Sequence, residues 1–348
     1  FFLNFIHGIG TRKLYSISGK KSWQSFIPIY NVFILLKIIN RPWWWIFMIF
    51  IPVINVIIIP VIWVEISRSF KRNSYSDTFL SIITLGFYNY YLNYFTKPEY
   101  IENRNINPKS KNGDWTSAII FAVIAATFVH TYFIQPYTIP TSSLDKSLLV
   151  GDFLFVSKFH YGARVPMTPI AAPMVHDTIP IIKIRSYINK EQLPIVAELP
   201  YLRLPGLQKI KRNDIVCFNW PVDTMLDMRR TDKYYYKPID KKTNYVKRAV
   251  GIAGDTLEVS NGYVYINGEK NELPDRAKLQ FSYLIQGKKN KFNPKVMINN
   301  YDITDRFGPI NTNYKYRFMG ISDKSLNKLK NHTNVEWIER DTIPKGIR

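Results

Sequence analysis

Two long apolar runs dominate the first third of the chain. Trp43–Val64, "WWWIFMIFIPVINVIIIPVIWV", carries no charge over 22 residues, and Trp115–Ile134, "WTSAIIFAVIAATFVHTYFI", continues for 20. Each is long enough to cross the hydrocarbon core of a bilayer as a helix. Pro52 and Pro60 would break a soluble helix but are tolerated in lipid. His130 is the one ionisable position of the second run and stands near its end. Thr78–Phe95 is a third candidate, so rich in Tyr and Asn that an interfacial or re-entrant segment competes with a span. A shorter run, "FIPIYNVFILL" before Lys37, also suits entry into the bilayer. The pattern predicts a hydrophobic membrane module over 1–114 with one to three spans, then a transmembrane helix over 115–135. The loop 97–114 holds Lys97, Arg104, Lys109 and Lys111, and nothing basic follows until Lys146. Positive flanks stay in the cytoplasm, so residues after about 136 are expected outside it.

Beyond that point the periodicity becomes strand-like. Gly151–Gly162, Asp214–Trp220 and Asn244–Glu269 are rich in β-branched and aromatic residues and bounded by Gly, Asn, Asp or Pro. "SNGYVYINGE" contains two Asn-Gly turn signals, and the first predicts a hairpin. Weaker patterning over about 163–208 and 270–348 reads as insertions on a β core. The expected fold is an α-helical transmembrane N-terminal region followed by a mostly antiparallel all-β domain, 136–348, with those insertions. No internal repeat is present.

Charge changes the picture little. The net charge of +21 divides into +8 over residues 1–137 and +13 over 138–348, a spread that suits an anionic membrane surface or a solvated basic surface. An apolar share of 46% and an aromatic share of 15% argue against disorder. The single cysteine, Cys217 in "DIVCFNW", excludes an internal disulfide and multi-cysteine zinc sites, and its neighbours point to a core position. The five histidines lack metal-ligand spacing, so no metal and no cofactor is expected. The chain opens on Phe1 and stops at "IPKGIR", which suggests a sequence trimmed at both ends.

"YTIPTSSLDKSLLVGD" directly follows the second apolar run. By themselves Ser142 and Ser143 suit a turn leaving a membrane helix. No histidine accompanies them, but a neutral lysine can also activate a serine. At its ordinary pKa only about one lysine in 2,500 is neutral at pH 7, and lowering that pKa by roughly two units costs about 2.7 kcal/mol. Desolvation supplies such a shift, so the base should lie on a strand among apolar neighbours. Lys247 in "YVKRAV" meets that demand, with Arg248 directed to the opposite face. Taken alone, an exposed basic pair fits "VKRAV" better.

Together the two segments carry more. "IPTSSLDKSLLVGDFLFVSKFHYG", placed after a span, resembles the nucleophile segment of type I signal peptidases. "KRNDIVCFNWP" followed by "NYVKRAVGIAGDTLEVSNGYVYING" resembles that family's lysine segment. The resemblance covers roughly 136–162 and 209–269. It implies a membrane-bound serine endopeptidase that removes signal peptides from exported preproteins. It further implies a bacterial cytoplasmic-membrane, multi-pass protein with its catalytic domain outside, whose partners are preprotein signal peptides, membrane lipids and the export translocase, and not nucleic acid. Carried over by position, Ser143 aligns with the nucleophile, Lys247 with the general base, and Thr141 with the hydroxyl that supports the oxyanion. Ile139, Pro140, Tyr245 and Val246 fall where the family forms its small substrate pockets.

Some positions depart from the family pattern. Leu144 stands for Met, Lys146 for a proline, and Ala253 for another proline. The family's third segment, a Gly-Asp-Asn run followed by Ser and an Asp-Ser-Arg run, has no counterpart before Arg348, and the expectation is that the chain continues. Two other readings remain open at this level. One is a self-cleaving repressor-type Ser/Lys peptidase, which the Trp43–Val64 span disfavours. The other is a non-catalytic membrane scaffold with a basic extracytoplasmic β domain.

Overall fold

In the computed structural model, which describes residues 2–107, 110–194, 198–225, 234–310 and 313–342, the N-terminal third is helical. Its elements are α1 (Phe2–Ile17), α2 (Tyr30–Ile38), α3 (Trp45–Phe50), α4 (Asn55–Ser69), α5 (Tyr75–Ile83), α6 (Tyr88–Phe95) and α7 (Lys111–Tyr132). Trp43–Val64 does not form the single helix its length allows. Ile51 is extended, at φ −80 and ψ 117, because the residue before a proline is driven out of the helical region. Pro52 also lacks the N–H that would continue the ladder. Residues 51–54 therefore turn the chain between α3 and α4, whereas Pro60 is accommodated inside α4. The two ends of the run meet: Arg41 Nε donates to Glu65 Oε2 at 3.2 Å, and Arg104 pairs with the same carboxylate oxygen. Leu14, Tyr15, Leu36, Ile58 and Ile66 form the core of this helical region.

Helix α7 begins where Ser110 Oγ accepts from the Gly113 N–H at 3.2 Å. Among the described residues it is the one helix long and apolar enough to cross a membrane. Its 22 residues span about 33 Å.

The remaining elements are β1 (Ile134–Thr138), β2 (Phe153–Ser157), β3 (Ile215–Asn219), β4 (Asn244–Arg248), β5 (Leu257–Ser260), β6 (Tyr263–Ile266), β7 (Glu269–Lys270), β8 (Gln280–Gly287), α8 (Pro294–Tyr301), β9 (Phe307–Pro309), β10 (Lys315–Ser322), α9 (Asp323–Leu329) and β11 (Val335–Arg340). Strand β1 pairs with β2, β3 with β4, and β5–β6–β7 form an antiparallel meander. Both Asn-Gly pairs make tight turns. Asn261 and Gly262 have φ of 49° and 78°, and Asn267 and Gly268 have 54° and 88°, the doubly left-handed geometry that matches strand twist.

The chain forms two compact units. One contains 1–135, 156–209 and 219–244, and the other contains 136–155, 210–218 and 245–348. The stretch 163–208 belongs with the helices, where the Val53 N–H donates to the Pro169 carbonyl at 3.2 Å and Val53 packs with Ala171 and Tyr187. In the same unit Lys237 is buried between Asp177, at 2.9 Å, and Asp223, at 3.2 Å.

In the other weakly patterned stretch the described elements from Gln280 to Arg340 form a folded body. Strands β11-β8-β10-β9 form an antiparallel sheet in that order. Met297 of α8 and Leu329 of α9 pack onto Ile285, Phe318 and Ile321. The β8–β10 register slips at Met319–Gly320, a bulge beside the site described next. Interleaved charges and that bulge hide the alternation a strand would otherwise display.

Candidate active site

The turn bearing the serines is closed at its neck. The Ile139 N–H donates to the Asp152 carbonyl at 3.0 Å and the Gly151 N–H to the Ile139 carbonyl at 2.9 Å, extending the β1–β2 ladder. Residues Ser142–Leu144 then form one turn of 3₁₀ helix, with Thr141 extended in front of it. Ser143 is exposed at the crest.

Lys247 lies on β4, and its Nζ donates to Ser143 Oγ across 104 residues of sequence. Period-two alternation puts Tyr245 on the same face, where the Lys247 Nζ sits 5.9 Å from the ring centroid. Arg248 points the other way. Its Nη1 donates to the Asn213 carbonyl at 2.6 Å and its Nη2 to Ser147 Oγ at 3.1 Å. Both basic side chains are thus engaged, on opposite faces as alternation suggested. Through Ser147, Arg248 fixes the far limb of the serine turn, while Lys247 meets its crest.

Asp145 and Lys146 tie the turn to residues 280–304. The Asp145 carboxylate accepts from Thr304 Oγ1 and, at 3.2 Å, from Gln280 Nε2. Lys146 Nζ donates to Asp302 Oδ1 at 2.6 Å, and its distance to Asp145 itself is 3.8 Å. Burial raises the affinity of Asp145 for a proton. Its bonds to Thr304, Gln280 and the Lys146 N–H, together with the Lys146 ammonium, outweigh that and hold the carboxyl below its ordinary value. Lys146 adopts φ +68, in the left-handed region. A proline, which requires φ near −65, does not fit that backbone. The turn is therefore closed by different means from the proline-bearing pattern it resembles.

The Thr141 side chain makes no cap hydrogen bond to the turn it precedes. Two cavities open at Ser143. The larger, 410 Å³, is lined by Leu144, Arg248, Val250, Tyr263, Leu273 and Lys278 among others. The smaller, 290 Å³, includes Ser142, Lys278, Gln280, Asp305 and Met319. Ile139, Pro140, Tyr245 and Val246 line neither. Ile139 is buried, Pro140 exposed, and Tyr245 and Val246 half-buried. Asp152 and Asp255 hold turns: Asp152 accepts from the Leu149 N–H at 2.8 Å, and Asp255 from the Ile252 N–H at 2.9 Å and from Arg212. Cys217 is half-buried rather than fully enclosed. No cluster suited to a metal ion occurs among the described residues.

The signal peptidase, peptidase S26, profile matches residues 112–346, a range that includes α7, the serine turn, Lys247 and both weakly patterned stretches. The chain belongs to the signal peptidase S26 family. As a type I signal peptidase it is a serine endopeptidase that cleaves signal peptides. Signal peptidase I P of Bacillus subtilis subsp. natto is 27% identical over 235 residues, covering 68% of this chain and 86% of the relative. Signal peptidase I of Bacillus amyloliquefaciens is 24% identical over 220 residues, 63% of this chain and 77% of the relative. For the Rickettsia akari signal peptidase I the figures are 24% over 168 residues, 48% and 47%. No solved structure matches the chain significantly. Residues 23–103 match a family of unknown function, DUF5684, so the helical region before α7 carries no assigned role.

Proposed function

We propose that this signal peptidase is held in the membrane by α7 and cleaves preproteins on the extracytoplasmic side with Ser143 as nucleophile and Lys247 as general base. The observation that carries the reading is the hydrogen bond between Lys247 Nζ and Ser143 Oγ. As an ammonium, Lys247 donates to the serine and cannot activate it. Once neutral, it accepts the Ser143 proton as Oγ attacks the scissile carbonyl. The Thr141 hydroxyl and the Ser143 N–H stabilise the oxyanion, two donors aimed at developing charge. Lys247 then protonates the departing amine, leaving an acyl-enzyme ester. In the second half the neutral Lys247 takes a proton from water as it attacks the ester carbonyl, and returns that proton to the departing Ser143 Oγ, which frees the serine. The extended substrate lies between the edge at Ile139 and Pro140 and the edge at Tyr245 and Val246, adding a strand. Preprotein signal peptides delivered by the export machinery, in contact with membrane lipid, are the partners this reading requires. The S26-type β fold is the architecture it implies.

Cleavage of a preprotein by the detergent-solubilised full-length protein tests the assignment. Ser143→Ala and Lys247→Ala are each expected to lower kcat by at least about 10³-fold. Undiminished cleavage by Ser143→Ala overturns it, and a full-length protein without any cleavage favours the scaffold reading.

A further inference from the structure

The pair α5–α6 is built inside out. On α5, Ser81 is fully buried and shares a hydrogen bond with Ser67 of α4 at 2.8 Å, while Phe79 is 64% exposed. On α6, Asn93 is fully buried and Phe95 is 79% exposed. The Asn93 amide bridges α1, accepting from the Lys13 N–H at 2.9 Å and donating to the Ile9 carbonyl at 3.2 Å. Polar groups thus pair within the bundle, and Phe79, Ile83, Leu85, Phe87 and Phe95 face outward, while Tyr88 and Leu92 pack inside. In water that arrangement exposes what the hydrophobic effect would bury. In hydrocarbon it is the favourable one, since most of the buried polar groups of this pair find partners inside the bundle, Asn89 Oδ1 being the exception.

The same pair is too short to cross. Its helices have 9 and 8 residues, about 13 and 12 Å at 1.5 Å per residue, against a core of about 30 Å. Both ends emerge together. Lys71, four residues before α5, pairs with Glu99, four residues after α6. Between them residues 78–96 carry no charge. At the turn Gly86 has φ +84, and a Cβ there would lie 2.5 Å from Trp63 Nε1. Trp63 stands six residues before the end of α4, so the tip lies alongside α4 at a depth of only about 9 Å from that end.

We propose that α5 and α6 form a re-entrant hairpin that enters one leaflet from the side of the 97–114 loop, turns at Leu85–Gly86 and leaves on the same side. Its outward face is solvated by acyl chains. The assignment of side rests on the reading that α7 crosses the bilayer with that loop in the cytoplasm.

The test uses the full-length protein in sealed membrane vesicles of both orientations, with Cys217→Ser removing the native thiol. Single cysteines are introduced as Asn73→Cys at the base, Phe79→Cys on the outer face and Leu85→Cys at the tip. A membrane-impermeant maleimide is expected to label Asn73→Cys from the cytoplasmic side alone and the other two at least tenfold more slowly from either side. A nitroxide on Leu85→Cys is expected to be accessible to oxygen and shielded from a nickel chelate. Labelling of Leu85→Cys from the opposite side would mean a crossing, and labelling from the same side as Asn73→Cys an aqueous surface. Shielding from both oxygen and nickel would mean a protein partner, and each of the three overturns the proposal. Alkaline carbonate separates the two readings. Retention with Leu85→Cys labelled refutes the hairpin alone, whereas release refutes the membrane anchor as well.

Discussion

Two residues beyond Ser143, the Asp145 carboxylate depends on donors from Thr304 and Gln280. Thr304→Val removes one of them at a half-open position, where a bond to a charged group is worth about 1 kcal/mol after solvent screening. The serine turn loosens while the substrate edges stay in place. The expected outcome is a kcat lowered roughly fivefold, by the factor that about 1 kcal/mol represents, with KM within about twofold. Steady-state kinetics on a signal-peptide substrate checks it. The same carboxyl sets an acid limit. Its folded pKa is depressed, so its contribution to stability is fully present above the ordinary aspartate value of 3.8 and is lost as pH falls through the lowered value. Asp145→Asn should narrow the gap between stability at pH 6 and at pH 3, read from denaturant midpoints. Ser143 and Lys247 were legible in the sequence because each sits in a segment with its own character, a serine turn after an apolar run and a lysine within a strand. Thr304 and Gln280 were not, because a tether 159 or 135 residues away leaves no local pattern.

Among the elements, the Asn-Gly turns were the most readable, since two residues with positive φ suffice to specify them. Trp43–Val64 is not the single continuous helix its length suggested, because length and hydropathy are blind to Pro52 acting on Ile51. The sheet over 280–340 was underrated because its core comes from residues spread along strands and helices alike. That core makes a direct prediction. Phe318 has no exposed surface and stacks on Phe307 at 4.5 Å, so Phe318→Ala should destabilise this body by about 3–5 kcal/mol. Urea unfolding followed by aromatic circular dichroism measures the loss. Another concerns the turn at Asp255, whose carboxyl the Arg212 guanidinium, with the Ile252 N–H, holds down at about 2. A depressed carboxyl stabilises above its unfolded value and stops doing so as it protonates. The Arg212–Asp255 link should therefore persist at pH 4 and dissolve as pH approaches about 2, with the carboxyl carbon followed by NMR.

For the whole molecule, every group described around Ser143 lies in one of the two units, and residues 1–103 contribute none of them. A protein lacking residues 1–103 but keeping α7 is accordingly expected to cleave a detergent-presented substrate with kcat/KM within about threefold of the parent. A loss above about 30-fold would assign the helical region a part in the reaction itself. The net charge of +21 is shared between the two halves and explained neither the site nor the fold. It bears on solubility and on the membrane surface, not on which residues meet.

The tether from Asp145 to Thr304 also has a temporal side. A ribosome adding about 5–20 residues per second delivers Thr304 roughly 8–32 s after Asp145. During that interval the nascent chain displays its serine on a turn held at its neck and, later, by Arg248, but not yet tethered through Asp145. The enzyme is thus born slack and tightens late, its own translation acting as the clock. Pulse-labelled chains should show the 140–150 turn open to an added protease until the 280–304 stretch has been made, and resistant afterwards.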